Sequence, residues 1–386
     1  MGNHSSVTVH KHLIFSISLT FCLFCTPDVY GQQIARARLL GTVQDATSGE
    51  ALQGVHIFIS RSSIGAVSDS EGAFRLTIPL GAHRIVVSRV GHQTQTHDVM
   101  IRAPKSYKLD FDLVEEVMVL GELSISDKRD EHWDDYLKQF REAFLGMTDN
   151  AREVEILNPE ILDLMKDAGT LIASADEPLI LNNRALGYRI EHHLHQFVID
   201  GDETWQDGES YFREMTPSSE QEAEKWDKHR KKAYNGSAQH FFRSMMDNRT
   251  RKEGFQVFHV DDPDEVGDRR QYEMNSAAPF QEPQFAVNPF TFLEPGNTDQ
   301  DYTLHFSNYF MIVYTHEEED RRYAEWQRVY HSGQVRDMQY SWLRLQNGAT
   351  TLDSRGNVLD PYAVAYFGYM SFERLADLLP KEYDTK

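Results

Sequence analysis

Short apolar runs separated by turn residues dominate the stretch from Arg38 to Leu113. The runs recur about every ten residues and are bounded by Gly, Asp, Ser or Pro, as in sheets of short strands joined by tight turns. From Val55 to Ser60, branched apolar residues alternate with other types, which places successive side chains on opposite faces of a strand. We therefore expect residues 36–114 to form an all-β sandwich.

The turns of this stretch carry a series of motifs. They are Gly41-Thr42-Val43, Leu52-Gln53-Gly54-Val55, Ser68-Asp69-Ser70-Glu71-Gly72-Ala73-Phe74 and Val90-Gly91-His92. Their order and spacing resemble the carboxypeptidase-regulatory-like domain, a transthyretin-like sandwich common in envelope proteins of the Bacteroidota. The resemblance implies a transthyretin-like fold and a module without chemistry of its own.

An apolar run from Leu13 to Cys25 follows the weakly charged N-terminal residues. This run is too short to span a bilayer and suits the core of a secretory signal. We expect residues 1–31 to be a signal peptide and the protein to be exported, to the periplasm, the outer membrane or the cell exterior. Cys22 and Cys25 both lie in that segment, so the mature chain is expected to hold no disulfide and no Cys-ligated zinc.

The chain has 39 basic and 60 acidic side chains, which give a formal net charge of −21. A field of that sign repels nucleic acid and anionic lipid surfaces, so we expect neither as a partner. After the leader, no apolar run reaches the roughly 18 residues that a membrane-spanning helix needs, and we predict no transmembrane helix.

The period of the apolar pattern changes after the sandwich. Residues 115–130 are expected to form a connector, and residues 131–386 an α+β domain with a mostly antiparallel sheet. Helical spacing and capping residues predict helices over residues 128–145, over 219–234 and from Ser237 onward. The other predicted elements are a long strand from Gly187 to Asp200, a surface loop over 261–300 and a closing helix from Ser371 to Leu379.

One pair of residues has the His-x-x-Glu spacing of a zinc peptidase. His316 and Glu319 form it, and His331 is the nearest later histidine that could complete three ligands. The pair lies in an acidic run at the exit of a predicted strand, where a solvated charged turn is the simpler interpretation. In addition, metallocarboxypeptidases carry their regulatory-like sandwich after the catalytic domain, whereas here it comes first.

A second group with metal-ligand potential is His193 and His195, which would point from the same face of one strand. Arg189 and Glu191 occupy that face too, so a polar, solvent-facing side is a sufficient account. We predict no bound metal and no cofactor. If a metal is bound, these two histidines or the trio described above are its expected ligands.

The remaining candidate site is a binding site at the start of the second predicted helix. Ser237 and His240 fall at its N-cap and third position, Arg243 lies one turn further, and Tyr234 precedes them. Free backbone N–H groups and the helix dipole favour an anion there, so these residues could form a pocket for a carboxylate, a phosphate or an acidic glycan. The alternative is a capped helix that docks its aromatic side chains while Arg243 pairs with a carboxylate.

No nucleophile elbow, phosphate-binding loop or dinucleotide fingerprint occurs in the chain. The favoured hypothesis is an exported two-domain binding or scaffolding protein of the cell envelope. Its sandwich would contact an envelope protein or a glycan, and no reaction is implied. The alternative is an envelope hydrolase, metallopeptidase-like or glycan-acting, with its site in the C-terminal domain.

Overall fold

The computed structural model describes residues 1–2, 35–116, 131–201, 203–260, 285–296, 301–326 and 335–385. The predicted signal peptide (beyond its first two residues), residues 117–130 of the predicted connector, and most of the predicted loop over 261–300 lie outside these ranges. Residues 35–386 form one compact unit. Within the described residues, no helix combines the length and the apolarity needed to cross a bilayer.

The first part of this unit is the expected β-sandwich. Its strands are β1 (Arg36–Asp45), β2 (His56–Ile59), β3 (Gly65–Val67), β4 (Ala73–Pro79), β5 (Gly81–Ser88), β6 (Gln95–Ile101), β7 (Ser106–Lys108) and β8 (Phe111–Leu113). One sheet has the order β4-β1-β7, with β8 also paired to β1, and the other has the order β3-β2-β5-β6. Side chains such as Leu39, Ile57 and Leu76 fill the space between the sheets.

Gly41 shows why one of the motifs needs a glycine. A Cβ at this position would lie 1.7 Å from the carbonyl oxygen of Leu109. That oxygen belongs to the segment that joins β7 to β8. The N–H of the same residue, Leu109, donates to the carbonyl of Leu40 at 3.0 Å, so the segment lies directly against β1. Only a residue without a side chain permits this close approach of two backbones.

The second part of the unit contains helices and antiparallel sheets, which confirms the predicted α+β class. Its helices are α1 (Trp133–Leu145), α2 (Asp149–Arg152), α3 (Glu220–Tyr234), α4 (Ala238–Met246), α5 (Arg321–Trp326) and α6 (Tyr369–Phe372). Its strands are β9 (Val154–Ile156), β10 (Asp163–Asp167), β11 (Thr170–Ser174), β12 (Leu179–Asn183), β13 (Tyr188–Asp200), β14 (Glu203–Glu214), β15 (Phe255–Val260), β16 (Leu293–Pro295), β17 (Asp301–His305), β18 (Tyr309–Tyr314), β19 (Gln339–Leu345), β20 (Ala349–Asp353) and β21 (Val364–Gly368).

These strands form three sheets. The largest has the order β10-β11-β13-β12-β9, with β14 also paired to β13, and the others have the orders β15-β18-β19-β21 and β16-β17-β20. Helix α1 packs on the largest sheet, where Phe140 and Phe144 contact Phe197. Helix α4 packs on the second sheet through Phe241, which contacts Phe255.

The predicted closing helix over Ser371–Leu379 is wrong. The chain instead forms the single turn α6 and then a short 3-10 turn at Leu375–Asp377. Between them Arg374 is extended (φ −115°, ψ −156°), and its Nη1 donates to the Thr204 hydroxyl at 2.6 Å. The extended backbone at Arg374 therefore interrupts the helix that the apolar spacing favours.

The sandwich and the second part meet along the outer face of sheet β3-β2-β5-β6. Phe58 is fully buried yet lies outside the sandwich core, and its ring centroid is 5.3 Å from those of both His193 and Tyr211. The turn after β2 continues this junction, because the Arg61 N–H donates to the carbonyl of Ser210 at 2.7 Å. Thus β2 buries side chains on both of its faces, one inside the sandwich and one against β13 and β14.

A buried carboxylate completes the junction. Glu209 on β14 is 3% exposed, accepts a hydrogen bond from the Ser60 hydroxyl and lies 3.2 Å from Nη1 of Arg84 on β5. Arg84 also makes two bonds to Asp98, at 2.7 and 2.8 Å. The charge of Glu209 is therefore compensated by groups of the sandwich, as a buried carboxylate requires.

Replacing Phe58 by alanine should lower the free energy of unfolding of the whole unit by about 3–5 kcal/mol, because it removes a fully buried aromatic ring from the junction. Denaturant unfolding of the purified chain measures the change. Val67→Ala, at a position that is 60% exposed, is the control and should change the free energy of unfolding by less than about 0.5 kcal/mol. A Phe58→Ala chain as stable as the wild type would show that the junction contributes little.

Candidate functional site

The turn between α3 and α4 builds the candidate site. The Ser237 hydroxyl accepts from the N–H of His240 at 3.2 Å and donates to the carbonyl of Tyr234 at 2.7 Å. Gly236 adopts φ +77° in this turn, where a Cβ would lie 2.5 Å from the side-chain oxygen of Gln339. Ser237 therefore caps α4, as its sequence position predicts, and the turn lies tightly against β19.

A cleft of about 560 Å³ opens beside this turn. Three of the four predicted binding residues, Tyr234, His240 and Arg243, line it. Ser237 does not line the cleft and acts through the helix cap. His316, which the sequence offered as a metal ligand, also lines the cleft.

His240 is buried in the wall of the cleft. Its Nδ1 accepts from the N–H of Gly236 at 3.2 Å, and its ring lies 4.8 Å from those of Tyr234 and Phe255. Burial lowers the pKa of His240 to about 4, so the ring is neutral at pH 7. Because Nδ1 accepts, the proton resides on Nε2, which is 3.8 Å from a carboxylate oxygen of Glu253.

Arg243 binds the C-terminal segment. Its Nη1 donates to the carbonyl of Tyr383 and its Nη2 to the carbonyl of Lys381, each at 2.5 Å, and its guanidinium lies 5.6 Å from the ring centre of Tyr234. The sequence alternatives for Arg243 were an incoming anion and a carboxylate of the protein. In the structure, the guanidinium of Arg243 donates to two backbone carbonyls instead.

Both signs of charge line the rest of the cleft. Besides Arg243, its charged groups are Lys231, Asp247, Arg249, Glu253, Glu317 and Asp384. Arg249 bonds Glu253 at 2.5 Å, and the Asn235 side chain donates to Glu317 at 3.0 Å. Burial raises the pKa of Glu317. With three cationic and four acidic side chains in its lining, the cleft does not concentrate positive charge.

The sequence did not indicate several lining residues. Glu253 follows α4, Tyr314 ends β18, and Asp384 and Thr385 come from the C-terminal segment. Sheet pairing and the bonds of Arg243 bring them to the cleft. Those bonds reach Lys381 and Tyr383, which are 138 and 140 positions away in the sequence. No local motif marks such residues.

The proposed zinc ligands His316 and Glu319 lie in different surroundings. Glu319 is 4% exposed and does not line the cleft that holds His316. Its nearest cation is Arg336, 3.8 Å away, and its Oε1 has no hydrogen-bond partner among the described residues. Burial raises the pKa of Glu319 to about 7. His331 lies outside the described residues.

The two strand histidines also differ in their surroundings. A β-bulge between Leu194 and Gln196 displaces His195 from the pairing, and His195 is exposed. His193 is 7% exposed, with Nδ1 3.3 Å from the Ser88 hydroxyl of the sandwich. The expectation of a solvent-facing side is therefore wrong at His193, because the sandwich covers it. Among the residues that the structure describes, no three His, Cys, Asp or Glu side chains are grouped to hold a metal ion.

Comparison with known proteins bears on the sandwich. Residues 39–125 match the model of the CarboxypepD_reg-like domain family. The chain is similar to this family over that segment. Over 99 residues it is 32% identical to the TonB-dependent receptor SusC of Bacteroides thetaiotaomicron, an alignment that covers 26% of this chain and 9% of the receptor. The resemblance stated from the sequence motifs is confirmed for this segment, and the chain matches less than a tenth of the receptor's length.

Solved structures give weak matches. A chain of a type II cohesin–X-dockerin complex from Acetivibrio cellulolyticus is 20% identical, with 20% of this chain and 56% of that chain covered and a TM-score of 0.18. DUF3823 family proteins from Bacteroides ovatus and Parabacteroides merdae are 11% and 10% identical, with 47% and 46% of this chain and 82% and 80% of theirs covered, and TM-scores of 0.18 and 0.17. Matches with TM-scores this low support no conclusion about fold or function.

Replacing Glu319 by glutamine should remove a dependence of stability on pH. Glu319 titrates at about 7 in the folded protein and at 4.5 when unperturbed, so between these values the folded chain holds a proton that the unfolded chain has lost. Stability of the wild type therefore falls as pH rises through this window. Relative to the wild type, Glu319→Gln should gain up to about 3 kcal/mol of unfolding free energy between pH 5 and pH 8.

Denaturant unfolding at several pH values measures this gain. Glu318→Gln is the matched control for the removal of one carboxylate, because Glu318 is adjacent and exposed. A difference between Glu319→Gln and the wild type that stays constant from pH 5 to pH 8 would contradict the assignment of a raised pKa to Glu319.

Replacing Arg243 by alanine should loosen the C-terminal segment. The change removes two charge-assisted hydrogen bonds, each of about 1.5–3 kcal/mol, so the amides of Lys381 and Tyr383 should exchange with solvent at least about tenfold faster. Hydrogen–deuterium exchange followed by mass spectrometry measures the rates. Arg251→Ala, at an exposed position, is the control. Equal exchange in both variants would show that other contacts hold the segment.

Proposed function

We propose that this protein is an exported binding protein of the cell envelope that holds an uncharged polar ligand, such as a glycan chain, in the cleft beside α4. The observation that carries the proposal is the cleft itself. Its volume of about 560 Å³ is in the range of small-ligand sites, and its walls combine aromatic side chains with several polar groups.

The polar groups of the cleft suit hydroxyl groups. Glu253 and Glu317 supply acceptors, whereas Lys231, Asn235 and Arg249 supply donors. A sugar hydroxyl both donates and accepts, so it can use either kind of group. Because acidic side chains outnumber basic ones in the lining, a phosphate or another strongly anionic ligand is disfavoured.

The state of His240 and Ser237 supports binding over a serine-type hydrolytic reaction. The proton of His240 lies on Nε2 and its pKa is about 4, so the imidazole is a weak general base at pH 7. The Ser237 hydroxyl is occupied by the helix cap and by the carbonyl of Tyr234. Neither group is placed as an activated nucleophile would be.

The sandwich supports the envelope part of the proposal. Its sequence relative SusC is a TonB-dependent receptor, and the two sequences align over 99 residues. We propose that here too the module works in the envelope and contacts a protein or a glycan there.

Isothermal titration calorimetry of the mature chain with neutral oligosaccharides (maltoheptaose and xylohexaose) and with acidic oligogalacturonate tests the proposal. We expect one neutral sugar to bind, and Arg249→Ala to weaken it about tenfold through loss of a charged hydrogen-bond donor. Arg251→Ala is the matched control, because Arg251 is exposed and lies outside the lining, and it should bind as the wild type does. Binding of the acidic sugar alone, or of neither class, would overturn the proposed ligand class.

A further inference from the structure

The two sheets of the sandwich differ in what covers them. The outer face of sheet β3-β2-β5-β6 is buried at the junction, where Phe58, Ala82 and Val86 are fully enclosed. In sheet β4-β1-β7, by contrast, the residues of β1 alternate between buried and exposed. Among the described residues, this sheet therefore has one face in the sandwich core and one face in solvent.

Three arginines occupy the exposed face. Arg36 and Arg38 lie on β1 at alternate positions, and Arg75 lies on β4. In the register of the sheet, Arg38 faces Thr77 and Leu40 faces Arg75, so Arg75 is the diagonal neighbour of Arg38. Alternate residues of a strand and diagonal neighbours of two strands are each about 7 Å apart. We call these three residues the arginine face.

The arginine face has no acidic partner among the described residues. None of its three guanidinium groups takes part in an ion pair or a side-chain hydrogen bond there. Two acids lie further along the same outer face, and both have partners: Asp110 accepts from Thr42 at 3.0 Å and bonds Lys108 at 2.7 Å, and Asp112 accepts from Gln44 at 2.8 Å. Like charges at this spacing repel one another, so the cluster is unfavourable in the free protein.

The three arginines stand out against the acidic composition of the whole chain. The chain carries 60 acidic and 39 basic side chains, so three neighbouring arginines that form no ion pair among the described residues run against its composition. Guanidinium groups recognise carboxylates through two parallel hydrogen bonds. A flat strand surface with three such groups, and with Leu40 and Thr77 between them, suits a ligand that presents several carboxylates along an extended chain.

We propose that the arginine face docks a short acidic segment of a partner protein in the envelope. A membrane or a long polyanion would also meet the rest of the molecule, whose net charge of −21 opposes it. A short segment touches the arginine face alone. The proposal extends the envelope role given above to the sandwich and does not depend on the cleft, so either site could bind while the other does not.

Fluorescence anisotropy with a short labelled peptide of alternating Asp and Glu, and with its Asn and Gln analogue, tests the proposal on the full mature chain. At physiological ionic strength we expect the acidic peptide to bind and the amide analogue not to bind, and salt added above that level should weaken the complex. The triple variant Arg36→Gln, Arg38→Gln, Arg75→Gln should weaken binding about tenfold, because exposed ion pairs each contribute little and the three act together.

A charge-matched control separates the arginine face from net charge. Arg251→Gln, Lys252→Gln and Arg321→Gln together make the same change in charge at exposed positions outside the sandwich and should leave peptide binding unchanged. An equal loss in both triple variants, or no binding by the wild type, would overturn the proposal. So would tighter binding to phosphatidylglycerol vesicles than to the peptide, or self-association of the chain that the arginine triple variant abolishes. Arg249→Ala, which alters the cleft, should bind the peptide normally.

Discussion

The apolar outer face of β2, centred on Phe58, must be covered by the rest of the chain for the sandwich to be stable. A sheet with apolar side chains on both faces cannot leave either face in water without losing about 25 cal/mol for each Å² of apolar surface exposed. The long hairpin of β13 and β14 covers the outer face, and Glu209 places a charge there that Ser60 and Arg84 compensate. The position of the second part of the unit therefore follows from the sandwich.

The sequence predicts what depends on neighbouring residues. Alternation along the strands and the turn motifs identify the sandwich, and Gly41 is required by a contact within it. Ser219 and Ser237 accept hydrogen bonds from N–H groups three residues later, so the starts of α3 and α4 are predictable from a short stretch of chain. The class of the second part follows from helices and strands that are recognised one at a time.

Features that depend on distant residues are not visible in the sequence. The carbonyls that occupy Arg243 come from Lys381 and Tyr383, and no pattern links positions so far apart. A single bulged residue exposes His195 while His193 is buried, because an inserted residue reverses which face each side chain takes. The cap at Ser237 marks the position of the cleft in the sequence. The charge balance of the cleft, however, depends on side chains from four separate segments.

The two proposed binding surfaces respond differently to the charge of the chain. Charges are screened beyond about 8 Å at physiological ionic strength, so an acidic segment that reaches the arginine face is influenced mainly by that face. At low ionic strength the screening length is about 30 Å, and the net charge of −21 then opposes the approach of any acidic partner. An uncharged ligand in the cleft experiences neither effect. A protein with this charge distribution can therefore hold a neutral ligand at any salt concentration. It should bind an acidic partner best near physiological ionic strength, because the net charge opposes the partner at lower salt and the arginine face itself is screened at higher salt.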